Sequence, residues 1–359
     1  MHPSTIESLQ QDQTTQEGIK TDAAAQDLPP HVKLIEMGTA FWVSKVVYAA
    51  AKLSLADRLD TPKSAAELAP LVGAHAPSLH RFMRTLAGLG LLAEGEAQRF
   101  SLTALGAALK AGAPGSARPS ILALGSPWFA SAFDNITHSL ETGETGFEKA
   151  WGMPLFDYLA SHPEDASLFS ETMVGFHGQE PPAVAEAYDF SSFSTVVDVG
   201  GATGNLLAAI LTRHTGLRGI LFDRPYVVAD ARALLEERGV AERVSIRSGD
   251  FFESVPEGGD AYLLSHVIHD WNEDQCITIL ENCRKAMGPN SRLLLVEMVL
   301  PAGDAPHPGK MLDMVMLVVP GGQERTEAEY ADLLGKAGFR LARVIPTASA
   351  VSIVEAVPI

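Results

Sequence analysis

His269 stands in the run His266-Val267-Ile268-His269-Asp270-Trp271, directly after an apolar stretch that ends at Ser265. An imidazole with an ordinary pKa near 6.5 can take a proton from a hydroxyl as that oxygen attacks. A phenol, with a pKa of about 10, needs such help at neutral pH. Two carboxylates are candidates to hold the ring: Glu297, closing Leu293-Leu294-Leu295-Val296-Glu297, and Glu324 in Gly321-Gly322-Gln323-Glu324-Arg325. A carboxylate on the far ring nitrogen fixes the tautomer and favours the imidazolium formed in the reaction. Glu329 is better explained as the back half of a capping box with Thr326. A lone loop histidine is more often structural than catalytic, and His266 is given no role. For His269 the strand-end position tips the reading toward chemistry, because ligands of open α/β sheets bind outside the carboxyl ends of the strands.

A second group lies upstream. Thr195-Val196-Val197-Asp198-Val199 runs into Gly200-Gly201-Ala202-Thr203-Gly204, a strand entering a glycine turn that lets a ligand approach the main chain. A dinucleotide fingerprint needs glycine at its first, third and sixth places. Here those places hold Gly200, Ala202 and Asn205, so an NAD reading fits poorly, and no Gly-Lys-Ser/Thr follows to make a P-loop. Asp198, two residues before the first glycine, suits a cationic ligand. S-adenosylmethionine has an amino group and a sulfonium and no phosphates to cradle, so Asp198 can act on its positive end directly or through water. Asp223 ends the next strand, where a carboxylate can accept from both ribose hydroxyls. Asp250 and Phe251, after the third strand, could pair with the adenine amino group and cover the ring. Each acid could instead cap a following helix. Their joint placement on three strand ends favours the donor site.

Elements must hold these groups in place. From Ser194 onward, strands alternate with helices, the pattern of a parallel sheet with crossover helices. The expected strands are 195–199, 218–223, 243–247, 260–265 and 291–297, with 339–345 and 350–357 as a terminal hairpin. Upstream, His31 to about Leu59 has helical apolar spacing. Ser64-Ala65-Ala66-Glu67 reads as a capping box, Pro77 and Gly90 bracket another helix, and Phe100-Ser101-Leu102-Thr103 alternates like a strand. Helix, short helix, longer helix and small strand pair outline a winged helix. Residues 111–190 read as helices rich in aromatics, most of them core. The expected fold is α/β, a doubly wound Rossmann-like sheet with an N-terminal winged-helix domain that is all-helical apart from the small strand pair. The segments are a 1–30 tail, a 31–110 winged-helix dimerisation domain, a 111–190 helical linker and acceptor-pocket region, and a 191–359 catalytic domain.

Composition narrows the partners. The 359 residues are 46% hydrophobic and carry a net charge of −17, a balance that repels phosphate backbones and anionic lipid. The only cysteines, Cys276 and Cys283, offer no CxxC pair for zinc or redox work, and read as reduced thiols in the cytoplasm. The first thirty residues lack a basic region followed by an apolar block, so no secretory leader is expected. Ala40 to Leu59 is apolar but interrupted by Lys45, Lys52, Asp57 and Arg58, which favours a core or interface helix over a membrane span.

DVGGATG (198–204), FDRP (222–225), GDFF (249–252), HDW (269–271) and GGQERT (321–326) together resemble the plant-type and bacterial small-molecule O-methyltransferases. That resemblance, relatives of caffeic acid and acetylserotonin methyltransferases, covers nearly everything after the tail. It implies a homodimer built through the N-terminal helices, and base-assisted SN2 transfer of a methyl from S-adenosylmethionine to a hydroxyl of a small aromatic acceptor, with no metal. By it, Gly200, Asp223, Asp250 and Phe251 contact the donor, with Asp198 and Ser265 beside them. His269 is the base, flanked by Glu297 and Glu324. Phe169, Met173, Phe176, Trp271 and Met316 line the acceptor pocket. Ala202 replaces a usual glycine, Ser265 a frequent plant lysine near the adenine, and Val319 a polar acceptor-reading residue of some plant enzymes. The alternatives are C- or N-methylation, or donor-assisted hydroxylation, decarboxylation or pericyclic chemistry on the same scaffold. A winged-helix regulator is disfavoured by charge, and a metal-dependent methyltransferase by the lack of a carboxylate ligand motif.

Overall fold

The computed structural model describes residues 28–359, so the expected 1–30 tail falls almost wholly outside the described residues. Contacts divide the chain into two units, one ending at Lys45 and one running from Val46 to Ile359. In the first, helix Pro30–Thr39 starts with proline, whose missing N–H is harmless there. Its Leu34, Ile35 and Met37 are exposed, as are Phe41 and Trp42 beyond it. No helix among the described residues is long and apolar enough to cross a membrane.

In the second unit, helices Ala65–Val72 and Ala76–Gly88 bury Leu68, Leu79, Met83 and Leu86 around Phe100. The Ser64 box forms as read: its N–H donates to the Glu67 carboxylate at 2.7 Å, and the Glu67 N–H to Ser64 Oγ at 3.4 Å. Strands β1 (Leu92–Glu94) and β2 (Phe100–Leu102) pair antiparallel, with Leu92 opposite Leu102, and complete the winged-helix outline. Downstream helices gather Trp128, Phe129, Phe147 and Tyr158 with Val318 and Val319 into one core, which explains most of the aromatics in that segment.

The remaining strands are β3 (Thr195–Val199), β4 (Arg218–Asp223), β5 (Val244–Ser248), β6 (Ala261–Ser265), β7 (Arg292–Glu297), β8 (Val299–Leu300), β9 (Arg325–Thr326), β10 (Phe339–Pro346) and β11 (Ser352–Pro358). Seven of them form one sheet in the order β10-β11-β7-β6-β3-β4-β5, and β8 and β9 are a separate parallel pair. Strands β3 to β7 are parallel, while β11 and β10 run antiparallel at the β7 edge. Three strand starts shift by one residue. Arg243 belongs to a short 3-10 turn. The Asp260 carboxylate instead accepts from the N–H groups of Ser194 and Thr195, and Ser291 Oγ donates to Gly259 O.

Successive strand residues point to opposite faces. Val196, Leu221, Leu263 and Leu294 pack on one side, and Val197, Ile220, Tyr262 and Leu293 on the other. Both faces are covered, so these strands read as continuous apolar runs. The order reverses at β3, where β4 and β5 lie on one side and β6 and β7 on the other. The crevice at the carboxyl ends of β3 and β6 is therefore the topological switch point.

Candidate active site

At that switch point, the β3 strand turns through Gly200 (φ +71°) and the N–H groups of Gly200 and Gly201 donate to Phe222 O at 2.8 and 3.3 Å. A Cβ on Gly200 would stand 2.8 Å from Val267 Cγ2 and 3.6 Å from Phe251 Cε1. Gly200, Phe251 and the loop after β6 thus converge, and only glycine fits between them. Ala202 also sits at positive φ, +49°, so the departure from glycine puts a side chain in a left-handed conformation, at roughly 1–2 kcal/mol. Asp223 Oδ2 accepts from Ala202 N–H at 2.9 Å and Oδ1 from Arg224 N–H at 2.7 Å. Asp250 Oδ1 accepts from Phe252 N–H at 2.8 Å, and its other oxygen lies 3.7 Å from Arg224. Ser265, half-buried, closes β6.

Asp198 is placed beneath the loop, not on its open side. A Cβ on Gly201 would sit 2.5 Å from the Asp198 carboxyl carbon. Both carboxyl oxygens are buried without a close hydrogen-bond partner among the described residues. Burial, then the Asp223 charge, pushes this carboxyl up to about 7, against a weak lowering by the Leu207 N–H. A direct contact with a ligand is closed in this arrangement, and an electrostatic role is what remains open.

The base candidate is held from several sides. His269 lies in the short turn Ile268–Asp270, and its Nδ1 is 2.6 Å from Glu324 Oε1 and 3.5 Å from Glu297 Oε2. Its Nε2 is 3.6 Å from Asp270 Oδ1. Burial lowers the imidazole pKa, opposed by the Asp270 charge. The ring is therefore neutral at rest, and a carboxylate 2.6 Å from Nδ1 assigns the proton to that nitrogen and the lone pair to Nε2.

The two glutamates differ. Glu297 Oε1 accepts from the N–H groups of Val267 and Ile268 at 3.2 and 2.9 Å, tying down the loop that carries the base. Its Oε2 has no hydrogen-bond partner among the described residues. Burial, then the Glu324 charge, raises the Glu297 pKa well above the ordinary carboxylate value. Burial also pushes Glu324 up, to about 7, while the nearby His266 and Arg325 work against it. Glu324 is thus the carboxylate that can answer an imidazolium.

Gly322, Gln323 and Arg325, given no role by sequence, complete the support. A Cβ on Gly322 would fall 1.8 Å from His269 O, and Gln323 N–H donates to that same oxygen at 2.8 Å. The second glycine of the GGQERT string is there because the loop lies directly on the base's main chain. Buried Arg325 donates to Ile268 O at 3.3 Å and Gln323 O at 3.0 Å. Burial pushes Asp270 up to about 6. The signal for Arg325 was an arginine inside an otherwise loop-like string, which only the fold shows to be buried.

The acceptor candidates are less gathered. Trp271 stacks on Phe156 at 5.3 Å between centroids and meets Phe251 and Phe252 edge-on. Phe169 packs on the Trp128 core, Met316 is buried and Met173 half-buried. Phe176, 58% exposed, is not drawn in with them.

A family model described as an O-methyltransferase domain matches residues 133–340, and one described as an O-methyltransferase dimerisation domain matches 35–111. A phenazine O-methyltransferase of Lysobacter antibioticus is 47% identical over 327 residues, covering 91% of this chain and 96% of the relative. An 8-amino-8-demethylriboflavin N,N-dimethyltransferase of Streptomyces davaonensis is 35% identical, covering 90% and 94%. Among solved structures, that of LaPhzM superposes with a TM-score of 0.88 at 47% identity, over 92% of this chain and 100% of the other. The neocarzinostatin-biosynthesis O-methyltransferase NcsB1, solved with S-adenosylmethionine and 2-hydroxy-5-methyl naphthoic acid, gives 0.79 at 31% identity, over 88% and 96%. A domain model spanning more than half of the sequence, and relatives aligned along nearly all of it, make this chain a member of the O-methyltransferase family.

Proposed function

We propose that this methyltransferase moves a methyl group from S-adenosylmethionine to a hydroxyl of a small aromatic acceptor, with His269 as general base. The observation that carries the reading is the buried His269 imidazole, with Nδ1 fixed at 2.6 Å by Glu324 and Nε2 left to take a proton. The donor supplies an electrophilic methyl on a sulfonium when bound. Asp223 would hold its ribose, Asp250 and Phe251 its adenine, and Gly200 its close approach to the main chain, with Ser265 alongside. A glycine turn over two carboxylates, Asp198 and Asp223, supports a cationic ligand without phosphates. At His269, Nε2 accepts the hydroxyl proton while Nδ1–H stays donated to Glu324, whose charge stabilises the imidazolium. Phe169, Met173, Trp271 and Met316 offer apolar surface for a flat body, and Phe176 joins them only if a bound acceptor or second chain covers it. The dimerisation-domain match and the exposed apolar residues from Leu34 to Trp42 support a homodimer. Buried free thiols at Cys276 and Cys283 suit the reducing cytoplasm.

An amine acceptor is the competing reading, favoured by the N,N-dimethyltransferase relative. Incubation with methyl-labelled donor and a panel of phenols and aromatic amines, followed by mass spectrometry of the products, separates the two. Label on a phenolic oxygen supports the proposal, and label on nitrogen alone overturns it.

A further inference from the structure

Beside the base is a second cluster that the methyl-transfer reading leaves unused. His177 ends helix Pro163–His177, Glu180 opens helix Glu180–Ala187, and His266 follows β6. His177 Nδ1 and His266 Nε2 both lie on Glu180 Oε2, at 2.9 and 2.8 Å. The two imidazole rings lie with centroids 3.8 Å apart, tilted by 32°, and each directs a nitrogen onto one carboxylate oxygen. His266 holds this position at φ +52°, a left-handed conformation disfavoured for a side chain with a Cβ. Such strain marks a side chain held for a purpose. The Glu180 and His266 side chains are each 10% exposed, whereas His177 is 25% exposed and faces the outside. The cluster is thus pre-assembled and open at one edge.

We infer that His177, Glu180 and His266 form a binding site for a divalent transition cation of the zinc class. Two imidazole nitrogens and one carboxylate oxygen are a donor set such ions take, leaving a fourth position for water. Ligand atoms about 2.1 Å from a tetrahedral zinc stand about 3.4 Å from one another. The two separations on Glu180 Oε2, 2.9 and 2.8 Å, therefore open by about half an ångström to admit the ion. The ion replaces the hydrogen bonds to Glu180 and ties the helix carrying Phe169 and Met173 to the β6 end. The binding rests on this geometry and not on His269 acting as base.

Calorimetric titration of the metal-free, tag-free chain with Zn2+ tests the site, with Co2+ absorption as a second readout. The expected result is one site per chain and a four-coordinate visible Co2+ spectrum. In His177→Ala, at the solvent edge, the affinity falls ~tenfold or more and the spectrum is lost. Equal titration curves for wild type and His177→Ala/Glu180→Gln overturn the site. Loss of the O-methylation reading leaves the titration and the Co2+ spectrum unchanged.

Discussion

Replacing each of the two glutamates around His269 by glutamine should give unequal losses. Glu324 Oε1 lies 2.6 Å from Nδ1 and is the group that answers the positive ring. In Glu324→Gln the amide oxygen can still accept the hydrogen bond, but without charge. A charge-assisted bond is worth about 1.5–3 kcal/mol and a neutral one about 0.5–1.5. The deficit of about 1–2 kcal/mol lowers kcat about 5- to 30-fold, at roughly 1.4 kcal/mol per factor of ten. Should the amide turn its NH2 toward Nδ1, the tautomer inverts and the loss approaches about 10⁴-fold. Glu297 lies farther from Nδ1, at 3.5 Å, and its Oε1 accepts two main-chain N–H groups. Its glutamine keeps that acceptor, so kcat should stay within about threefold of wild type. Single-turnover rates at saturating donor and acceptor, with donor affinity measured separately by calorimetry, isolate the chemical step. Equal losses in the two variants, or a larger one for Glu297→Gln, would refute this division of roles.

Gly322→Ala forces a Cβ onto His269 O, 1.8 Å away in the undisturbed loop; kcat should fall more than about tenfold, with a lower melting temperature, and an unchanged enzyme would show the loop to be slack. Asp223→Asn keeps its main-chain contacts but loses a charge at the ribose position, so donor affinity by calorimetry should weaken about tenfold. Asp198 has a folded-state pKa raised to about 7, so its contribution to stability is present below pH 3.8 and is lost as pH rises through 7. Relative to wild type, donor-free Asp198→Asn should therefore gain melting temperature between pH 5 and pH 8, and a constant difference across that range contradicts a raised Asp198. Because Glu324 must be ionised to answer the imidazolium and burial pushes it up to about 7, the acid limb of the wild-type kcat profile should fall near 7. In Glu324→Gln the limb should move below 6.5, since only His269, lowered by burial, is left to titrate, and an unmoved limb contradicts this pairing.

Signals carried by neighbouring residues were legible in the sequence. The capping boxes at Ser64 and Thr326 form as spaced, since each needs only three residues of separation. The apolar runs of β3, β4, β6 and β7 announced strands buried on both faces, and these strands placed Asp198, Asp223 and His269 at one edge. Distance across the fold was not legible. Nothing in the order of residues tells that Glu297 faces two main-chain N–H groups while Glu324 faces the imidazole. The burial of Asp198 under Gly201 depends on a turn conformation, and His266 meets Glu180 across 86 positions of chain. Phe176, given a pocket role by the resemblance alone, stands exposed, because a matched position does not tell what covers it.

The proposal that an imidazole activates the incoming hydroxyl is tested most directly by His269→Gln. Calorimetry should find donor affinity within about twofold of wild type, since the donor's contacts lie on other strand ends. Methylation of a phenol should fall by at least about 10²-fold. Turnover near the wild-type rate, with the donor still bound, would contradict a role for His269 as the base.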